Sequence, residues 1–490
     1  MIIELMGTRI IGPFYGVSLY VWSSLIAVTL LALAVGYYAG GLLADKQGNV
    51  RLSHVIFLAA LLTGIIPALS SGVLTLTNSM GLRAGAFASA MLLFSPSLIL
   101  LGMTGPFVIR TATSQLESVG YVVGSVYAVS TFGSVIGTLL LGFYLLPLAG
   151  VRLIMLCISL VLLILSVLLA VFEAKRLQHT IKIWVWMLAC LIVSSMLTGV
   201  YLLHDNHVSN GFRILSNVDS HYGWVRVVDQ PQQRVRWLLS DSSVIGAESL
   251  DTGNGLLSYQ HIAGLLPQFL PDANNALLIG LGSGHLVGVL NRQGVTTDVI
   301  EIDPEVARVA QKFFSFKPTG KLLIGDARYQ ITRFDKRYDM IIHDCFTGGS
   351  EPIHLLSLEM IQSLKALLNN SGMLALNMIG FLEGPEYRAL EAVAKTLDTV
   401  FLHRRVFVSE PGKVFNDIVF LVSDYPIHLQ PNKTTKYQQQ QLAIKEIRVT
   451  PDQAFVITDD YNPMDTLQVA KAEQYRELLM DRMGAEIMLR

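Results

Sequence analysis

The sequence predicts a multi-span α-helical membrane domain followed by a Rossmann-like α/β domain with a small β-hairpin subdomain at its start. Three observations carry this. Long uncharged apolar stretches fill the first 203 positions and stop there. Beyond them, charged residues return and short apolar runs alternate with helix-length segments. Within that second half, Ala276–Asp303 reads as strand, glycine turn, helix, strand and acidic tip.

The chain has 490 residues, too many for one ordinary domain. It is 52% hydrophobic and 15% charged, and its mean hydropathy is +0.50. A net charge of -1 gives no electrostatic reason to expect nucleic acid as a partner. Cys157, Cys190 and Cys345 are scattered without C-x-x-C spacing, which points to neither a disulfide framework nor a zinc site. No histidine pair has metal-ligand spacing.

Six stretches in the first half are long enough to cross a bilayer as helices: Ile10–Ala44, Leu52–Leu82, Ala84–Ile109, Ser118–Val151, Leu153–Phe172 and Ile183–Leu203. Gly36-x-x-x-Gly40 and Gly133-x-x-x-Gly137 would let helices approach closely. Pro67, Pro96 and Pro106 would kink theirs. No acidic or basic residue lies inside a span, which counts against ion-coupled transport. The start before Glu4 lacks a basic leader and does not read as a cleavable signal. Lys46 and Arg51 flank one loop, and Lys175, Arg176 and Lys182 crowd another. With six spans the positive-inside rule would put both loops in the cytoplasm and the C-terminal half outside. The cytoplasmic side is favoured all the same, because strand, glycine turn, helix, strand and acid in Ala276–Asp303 suit a nucleoside cofactor, and such cofactors are made inside the cell.

The chain divides into 1–203, a membrane domain of about six spans; 204–215, a linker; 216–250, a small β subdomain; 251–470, the α/β domain; and 471–490, a C-terminal helix. Gly223–Asp229 and Arg234–Leu239 alternate on either side of a Pro-Gln-Gln turn and read as a hairpin. Leu256–Leu266 is helix-like. Further strands are expected at Lys321–Ile324, Tyr338–His343 and Gly372–Met378 of a parallel sheet.

Ligands in such sheets bind beyond the carboxyl ends of the strands. Four places qualify: Gly280, Gly282 and Gly284; Glu301 with Asp303; Gly325-Asp326-Ala327; and His343-Asp344-Cys345. Glycines at alternate positions admit a ligand to the backbone. Glu301 lies where such folds place the acid that grips ribose hydroxyls. Asp303 precedes Pro304 and suits a helix cap. Asp326 also suits the amino edge of an adenine. His261, His285 and His343 read as structural.

These residues resemble the spermidine synthase family, the polyamine aminopropyltransferases, over roughly Asn217–Met378. The whole chain is similar to bacterial proteins that fuse a multi-span membrane region to that domain. Glu4-Leu-x-Gly-x-Arg9, the Pro13–Trp22 stretch, Gly40-Gly-x-Leu-Ala-Asp45 and Thr458-Asp-Asp-Tyr-Asn-Pro-Met-Asp465 carry that likeness. The resemblance implies a methyltransferase-type α/β fold and a bacterial inner-membrane, multi-pass location. It also implies decarboxylated S-adenosylmethionine as co-substrate, an amine substrate, no metal, and a homodimer.

Residue by residue the carry-over is uneven. Ser258-Tyr259-Gln260 matches the family's diamine channel, with Tyr259 and Gln260 binding substrate. The family's Gly-Gly-Gly-Asp-Gly loop becomes Gly280-Leu-Gly-Ser-Gly284, so the aspartate that holds the donor's amine is Ser283. Glu301, Asp326 and Ala327 keep the nucleoside contacts. The Asp-Ser-Ser-Asp-Pro catalytic loop becomes Asp344-Cys-Phe-Thr-Gly348; Asp344 is kept as base and the second aspartate is Thr347. An early glutamine falls on Gly223. Asp459 and Asp460 are candidates to replace lost amine-binding carboxylates.

The resulting expectation is a membrane-anchored aminopropyltransferase that converts putrescine or a related amine to spermidine and methylthioadenosine. An alternative is a methyl or other group transferase using S-adenosylmethionine itself. A second alternative is a non-catalytic membrane sensor or transport protein.

Overall fold

The computed structural model describes residues 1–490 except 17, 47–49, 114–117, 177–182, 205–210, 271, 347–348, 452–453 and 490. It divides into two units, residues 1–209 with 483–490, and residues 210–482.

The first unit is helical: α1 (Ile2–Tyr15), α2 (Leu19–Asp45), α3 (Leu52–Thr77), α4 (Gly81–Ala112), α5 (Val119–Leu140), α6 (Leu146–Leu148), α7 (Val151–Arg176) and α8 (Ile183–His204). The expected stretch Ile10–Ala44 is not one helix, because Gly16 at φ +84° ends α1 before α2 begins. A π-turn, Leu141–Leu145, joins α5 to α6.

Among the described residues, four segments are long and apolar enough to cross a membrane: Leu19–Asp45, Leu52–Ala112, Val119–Leu145 and Val151–Lys175. The second contains both α3 and α4, joined by a 3-10 turn at Asn78–Met80, and the apolar part of α8, Val185–Val200, is shorter.

Small and hydroxylated residues do the packing here. A Cβ on Gly36 or Gly40 would run into the backbone of Ile99, Gly102 or Met103 of α4, so these two glycines set the α2–α4 approach. Gly133 has open space around it, and only Gly137 of that second motif meets a neighbour, the side chain of Ile2. Buried hydroxyls pair across helices, with Thr63 to Ser97 at 2.5 Å and Tyr15 to Thr77 at 2.9 Å. Ser159 donates to the Ala60 carbonyl at 2.7 Å. In an apolar setting every such group needs an internal partner.

The second unit opens with an antiparallel sheet of β1 (Arg213–Asp219), β2 (Trp224–Gln230), β3 (Val235–Ser240) and β4 (Ser243–Ser249), in that order. The expected hairpin is its middle pair, and β1 and β4 extend it on both sides. The predicted helix over Leu256–Leu266 shrinks to α9 (Gln260–Ala263). Gly264 and Pro267 favour no longer helix, and a 3-10 turn follows.

The larger sheet holds β5 (Asn275–Ile279), β6 (Thr296–Glu301), β7 (Leu322–Ile324), β8 (Tyr338–His343), β9 (Leu368–Phe381), β10 (His403–Val408), β11 (Phe415–Ser423) and β12 (Glu446–Ile447). Its order is β12-β10-β11-β9-β8-β5-β6-β7. Strands β5 to β9 run parallel to one another, while β11 pairs antiparallel with β9 and β10 pairs antiparallel with β11. β9 is longer than the expected Gly372–Met378 at both ends, since Leu368 pairs with Tyr338 of β8 and the far end pairs with β11 out to Phe381.

Helices α10 (His285–Asn291), α11 (Pro304–Phe313), α12 (Ala327–Ile331), α13 (Leu358–Ala366), α14 (Arg388–Val400), α15 (Lys436–Lys445), α16 (Met464–Leu467) and α17 (Val469–Met483) complete this half. Alternate residues of β5 show why the sheet is covered on both faces. Leu277 and Ile279 enter one core with α13 and α14, and Ala276 and Leu278 enter another with α10. The small sheet packs Val225, Val227 and Leu238 against Val306 and Val309 of α11.

Between β5 and β8 the chain reverses the direction in which it adds strands. Such a switch point leaves a crevice at the carboxyl ends of the two strands.

Candidate active site

A cavity of about 1170 Å³ opens at that crevice. Its wall includes Tyr259, Gly280, Gly282, Glu301, Asp326, Ala327 and Asp344, seven of the positions singled out from sequence. Each arrives there for a local reason. Gly280 and Gly282 take φ of +91° and +54°, and side chains at these positions would strike the backbone of Asp344 and Ile245.

Glu301 ends β6 and turns its carboxylate back over the glycine loop. It accepts from the backbone N–H of Leu281 and of Asp303, each at 2.9 Å. Burial pushes its carboxyl up to about 7, against the pull of these two N–H groups. Asp303 caps α11 through the Glu305 N–H at 2.9 Å and also accepts from Ser220. Asp326 caps α12 through the Tyr329 N–H at 3.1 Å and faces His354 at 3.5 Å.

Asp344 follows β8. Tyr259 donates its phenolic hydrogen to Oδ2 at 2.5 Å, and Asn377 Nδ2 donates to Oδ1 at 3.0 Å. Burial raises the Asp344 carboxyl above its ordinary value while these two donors lower it. The same burial, with the Asp344 charge, pushes Tyr259 well above the usual phenol. The phenol therefore stays protonated and donates. Asn377 Oδ1, on the same cavity wall, is buried and has no hydrogen-bond partner among the described residues. It is an acceptor in want of a donor such as an ammonium.

Other predicted residues lie elsewhere. Ser283 is buried against Gly246 of β4 and bonds His285 Nδ1 at 2.7 Å, and His285 Nε2 meets Glu248 at 3.1 Å. That chain ties the glycine loop to the small sheet and keeps Ser283 out of the cavity wall. Gly284, at φ +78°, is the left-handed residue before α10 and packs against Phe316. Gln260 opens α9 beside Gly255 and is not in the wall.

Asp459 and Asp460 are exposed and also absent from it. Asp459 is drawn away by Arg328, which donates to both its oxygens at 2.8 Å and holds its carboxyl below the usual range. His343 is buried and bonds the Leu355 carbonyl at 3.1 Å, and burial lowers it to about 4. Thr347 lies outside the described residues. Gly223 lies in the bend just before β2, where a side chain would crowd Asp241 and Ser240. Among the described residues no group of three or more His, Cys, Asp or Glu is placed to hold a metal ion.

Sequence reasoning did not find the rest of the wall. Asn377 comes from β9, Asp417 from β11, Glu410 from the turn before it, and Tyr475 from α17. Burial and the nearby Asp344 and Glu410 charges push Asp417 up to about 7. Glu351, also in the wall, is tied to Lys471 of α17 in a buried ion pair and accepts from the Ile379 N–H at 2.9 Å. One signal was available: Asp417 is a carboxylate at the head of the otherwise apolar run Ile418–Val422.

The fold and its cavity define a doubly wound α/β domain with a carboxylate-rich crevice at the switch point. Residues 257–406 match the family described as spermine/spermidine synthase domain, so the C-terminal part of the chain carries that domain. The chain is 29% identical over 240 residues to the N-terminal histidine N-methyltransferase of Emericella nidulans, covering 44% of this chain and 43% of that protein. It is 37% identical over 123 residues to the polyamine aminopropyltransferase of Vibrio vulnificus, covering 24% of this chain and 40% of that one. The chain thus spans about two fifths of the length of these relatives. A crystal structure of a probable spermidine synthase from Corynebacterium glutamicum aligns with a TM-score of 0.40 and 19% identity, covering 47% of this chain and 86% of that one.

Proposed function

We propose that the α/β domain, taken as 251–470, transfers an aminopropyl group from decarboxylated S-adenosylmethionine to an amine such as putrescine. The Tyr259–Asp344 pair carries the reading: a buried carboxylate with a fixed donor stands in one cavity with Glu301 and the glycine turn. Glu301 suits ribose hydroxyls, and Asp326 with Ala327 suits an adenine edge.

The bound co-substrate supplies a methylene made electrophilic by its sulfonium. Asp344 and Tyr259 act on the acceptor. An alkylammonium is no nucleophile until it loses a proton, and Asp344 takes it. The freed nitrogen lone pair forms the new C–N bond as the C–S bond breaks, its electron pair staying on sulfur. Asn377 and Tyr259 hold Asp344 in place, and holding two reactants in line supplies much of the rate.

Methyl transfer from S-adenosylmethionine is the competing reading, favoured by the relative from Emericella nidulans. It requires room for the donor's carboxylate. The wall carries Asp344, Asp417 and Glu410, while its Lys413 pairs with Glu410 and its Arg482 stacks 4.6 Å from the Trp237 ring centroid. That charge balance favours the decarboxylated donor.

In this reading the helical unit anchors the domain in a bacterial inner membrane with the transferase facing the cytoplasm. The four membrane-length segments support it.

The test is mass spectrometry on the full-length chain in detergent, given putrescine and each donor in parallel. Methylthioadenosine with spermidine from the decarboxylated donor is expected. S-adenosylhomocysteine from the other donor, or no turnover of either, overturns the reading.

A further inference from the structure

We propose that Glu351, neutralised by Lys471 of α17, is a positioning residue: it fixes the end of β9 that holds Asp344 in place. This rests on the transfer reading, which makes Asp344 the base, and deepens it by adding α17 to the machinery. The matched domain ends at residue 406, and α17 lies beyond it.

The first argument is the open edge of β9. Its last pair with β8 is Leu376 with His343, while its pairing with β11 runs on to Phe381. From Asn377 onward β9 therefore has a strand on one side only. Asn377 is the residue that donates to Asp344 Oδ1 at 3.0 Å. Two positions further along, the Ile379 N–H donates to Glu351 Oε1 at 2.9 Å. That bond supplies on the open side what a neighbouring strand would supply, and it sets where Asn377 stands.

The second argument is the chemistry of the pair. Glu351 Oε2 accepts from Lys471 Nζ, and from Gln468 Nε2 at 3.3 Å. Both charged side chains are buried. A buried ion pair often folds a protein no better than apolar side chains of the same size. What an apolar pair cannot do is accept the Ile379 N–H, and that task calls for the carboxylate.

The third argument is that α17 also flanks the segment between Asp344 and Glu351. Phe346 meets the Tyr475 ring edge-on at 5.0 Å, and the Tyr475 hydroxyl accepts from the Val244 N–H at 3.1 Å. Gly349, at φ +86°, brings its backbone close to α17; a Cβ there would stand 3.3 Å from the Ala472 α-carbon. Lys471, Ala472 and Tyr475 of one helix thus meet Glu351, Gly349 and Phe346 in turn.

The experiment compares full-length wild type with two double variants, Lys471→Met/Glu351→Gln and Lys471→Met/Glu351→Leu, given the decarboxylated donor and putrescine. Neither leaves a buried charge unpaired, and only the first keeps an acceptor for Ile379. The glutamine variant should keep kcat within a few-fold. The leucine variant should lose about 10–100-fold in kcat, the scale on which misplacement of about 1 Å acts, with both KM values within a few-fold. Equal kcat in the two, or a loss confined to KM, overturns the proposal. Unchanged methylthioadenosine affinity verifies that each is folded. Glu351→Asp keeps both charges but shortens the reach to Ile379, and it serves if the leucine variant does not fold. A smaller fall in kcat is expected of it, and a wild-type kcat overturns the proposal.

Amide exchange at Ile379, read by mass spectrometry without substrate, separates this proposal from the reading beneath it. Exchange about 10-fold or more faster in the leucine variant than in the glutamine variant upholds the hold of Glu351 on β9. If no variant turns over while that contrast stands, the transfer reading falls alone. Turnover with equal exchange in both overturns the proposal and leaves the transfer reading standing.

Discussion

Gly280 lies with its α-carbon against the backbone carbonyl of Asp344, so the glycine turn after β5 and the carboxylate after β8 are fitted to each other. The φ of +91° at Gly280 is open to glycine and strained for any other residue. Gly280→Ala should therefore displace Asp344 as well as the turn. Turnover should fall by about 100-fold or more, the scale on which misplacement of about 1 Å acts. Gly253→Ala is the control, since Gly253 also has positive φ (+68°) but open space around it. It should cost only about 1 kcal/mol or so of backbone strain and leave kcat alone. Steady-state kinetics on the two variants checks the contrast.

Asp344→Asn removes the proton acceptor but preserves shape and the contact with Tyr259. Turnover should drop by about 10²–10⁴-fold, the usual contribution of a positioned base. Methylthioadenosine affinity, measured by calorimetry, should stay within a few-fold of wild type. Turnover at the wild-type rate would show that Asp344 is not the base.

Tyr259→Phe has a subtler signature. The phenolic hydrogen bond lowers the Asp344 carboxyl, so its loss should move that carboxyl upward. Asp344 must be ionised to take a proton. The acidic limb of the kcat/KM profile should then shift to higher pH in Tyr259→Phe. A limb that stays in place would mean that another group controls it.

Glu301 makes a pH prediction of its own. Its folded carboxyl sits at about 7, above the ordinary 4.5, because it is buried. A raised carboxyl contributes stability that is complete below the unfolded value and is lost as pH rises through the folded one. Unliganded protein should thus lose that contribution between about pH 4.5 and 7. Ribose hydroxyls donate to the ionised form, so nucleoside affinity should run the other way and increase through about pH 7. Calorimetry with methylthioadenosine from pH 6 to 8.5 reads this, and Glu301→Gln should flatten the profile and weaken binding about 10–100-fold.

The parallel strands were legible because a strand buried on both faces is a short apolar run, as Ala276–Ile279 and Tyr338–His343 are. The rule that ligands sit past carboxyl ends then located the crevice. Antiparallel β10 was not legible, because His403, Arg404 and Arg405 open it with charges. Those two arginines are spent on Asp398 and Glu446 at the sheet edge. Asp459 looked like a cavity acid because sequence shows its charge and not its partner Arg328, 131 positions away. Asp417 and Tyr475 reach the cavity through the register of β11 on β9 and the packing of α17; Asp417 shows in the sequence only as a charge at the head of an apolar run, and Tyr475 leaves no local pattern.

The helical unit gives a matched pair of glycines with opposite expectations. Gly36 and Gly133 each begin a Gly-x-x-x-Gly motif, and composition cannot separate them. Gly36 faces the Ile99 carbonyl and Gly102 across the α2–α4 contact, where backbone cannot yield as a side chain would. Gly133 meets nothing within 4 Å. Gly36→Ala should cost about 1–3 kcal/mol, the usual penalty for overpacking. Gly133→Ala should be neutral or slightly stabilising, since alanine is the better helix former. Thermal challenge of the full-length chain in detergent, followed by size-exclusion recovery, reads both. Equal behaviour of the two variants would mean that α2 and α4 do not meet at Gly36.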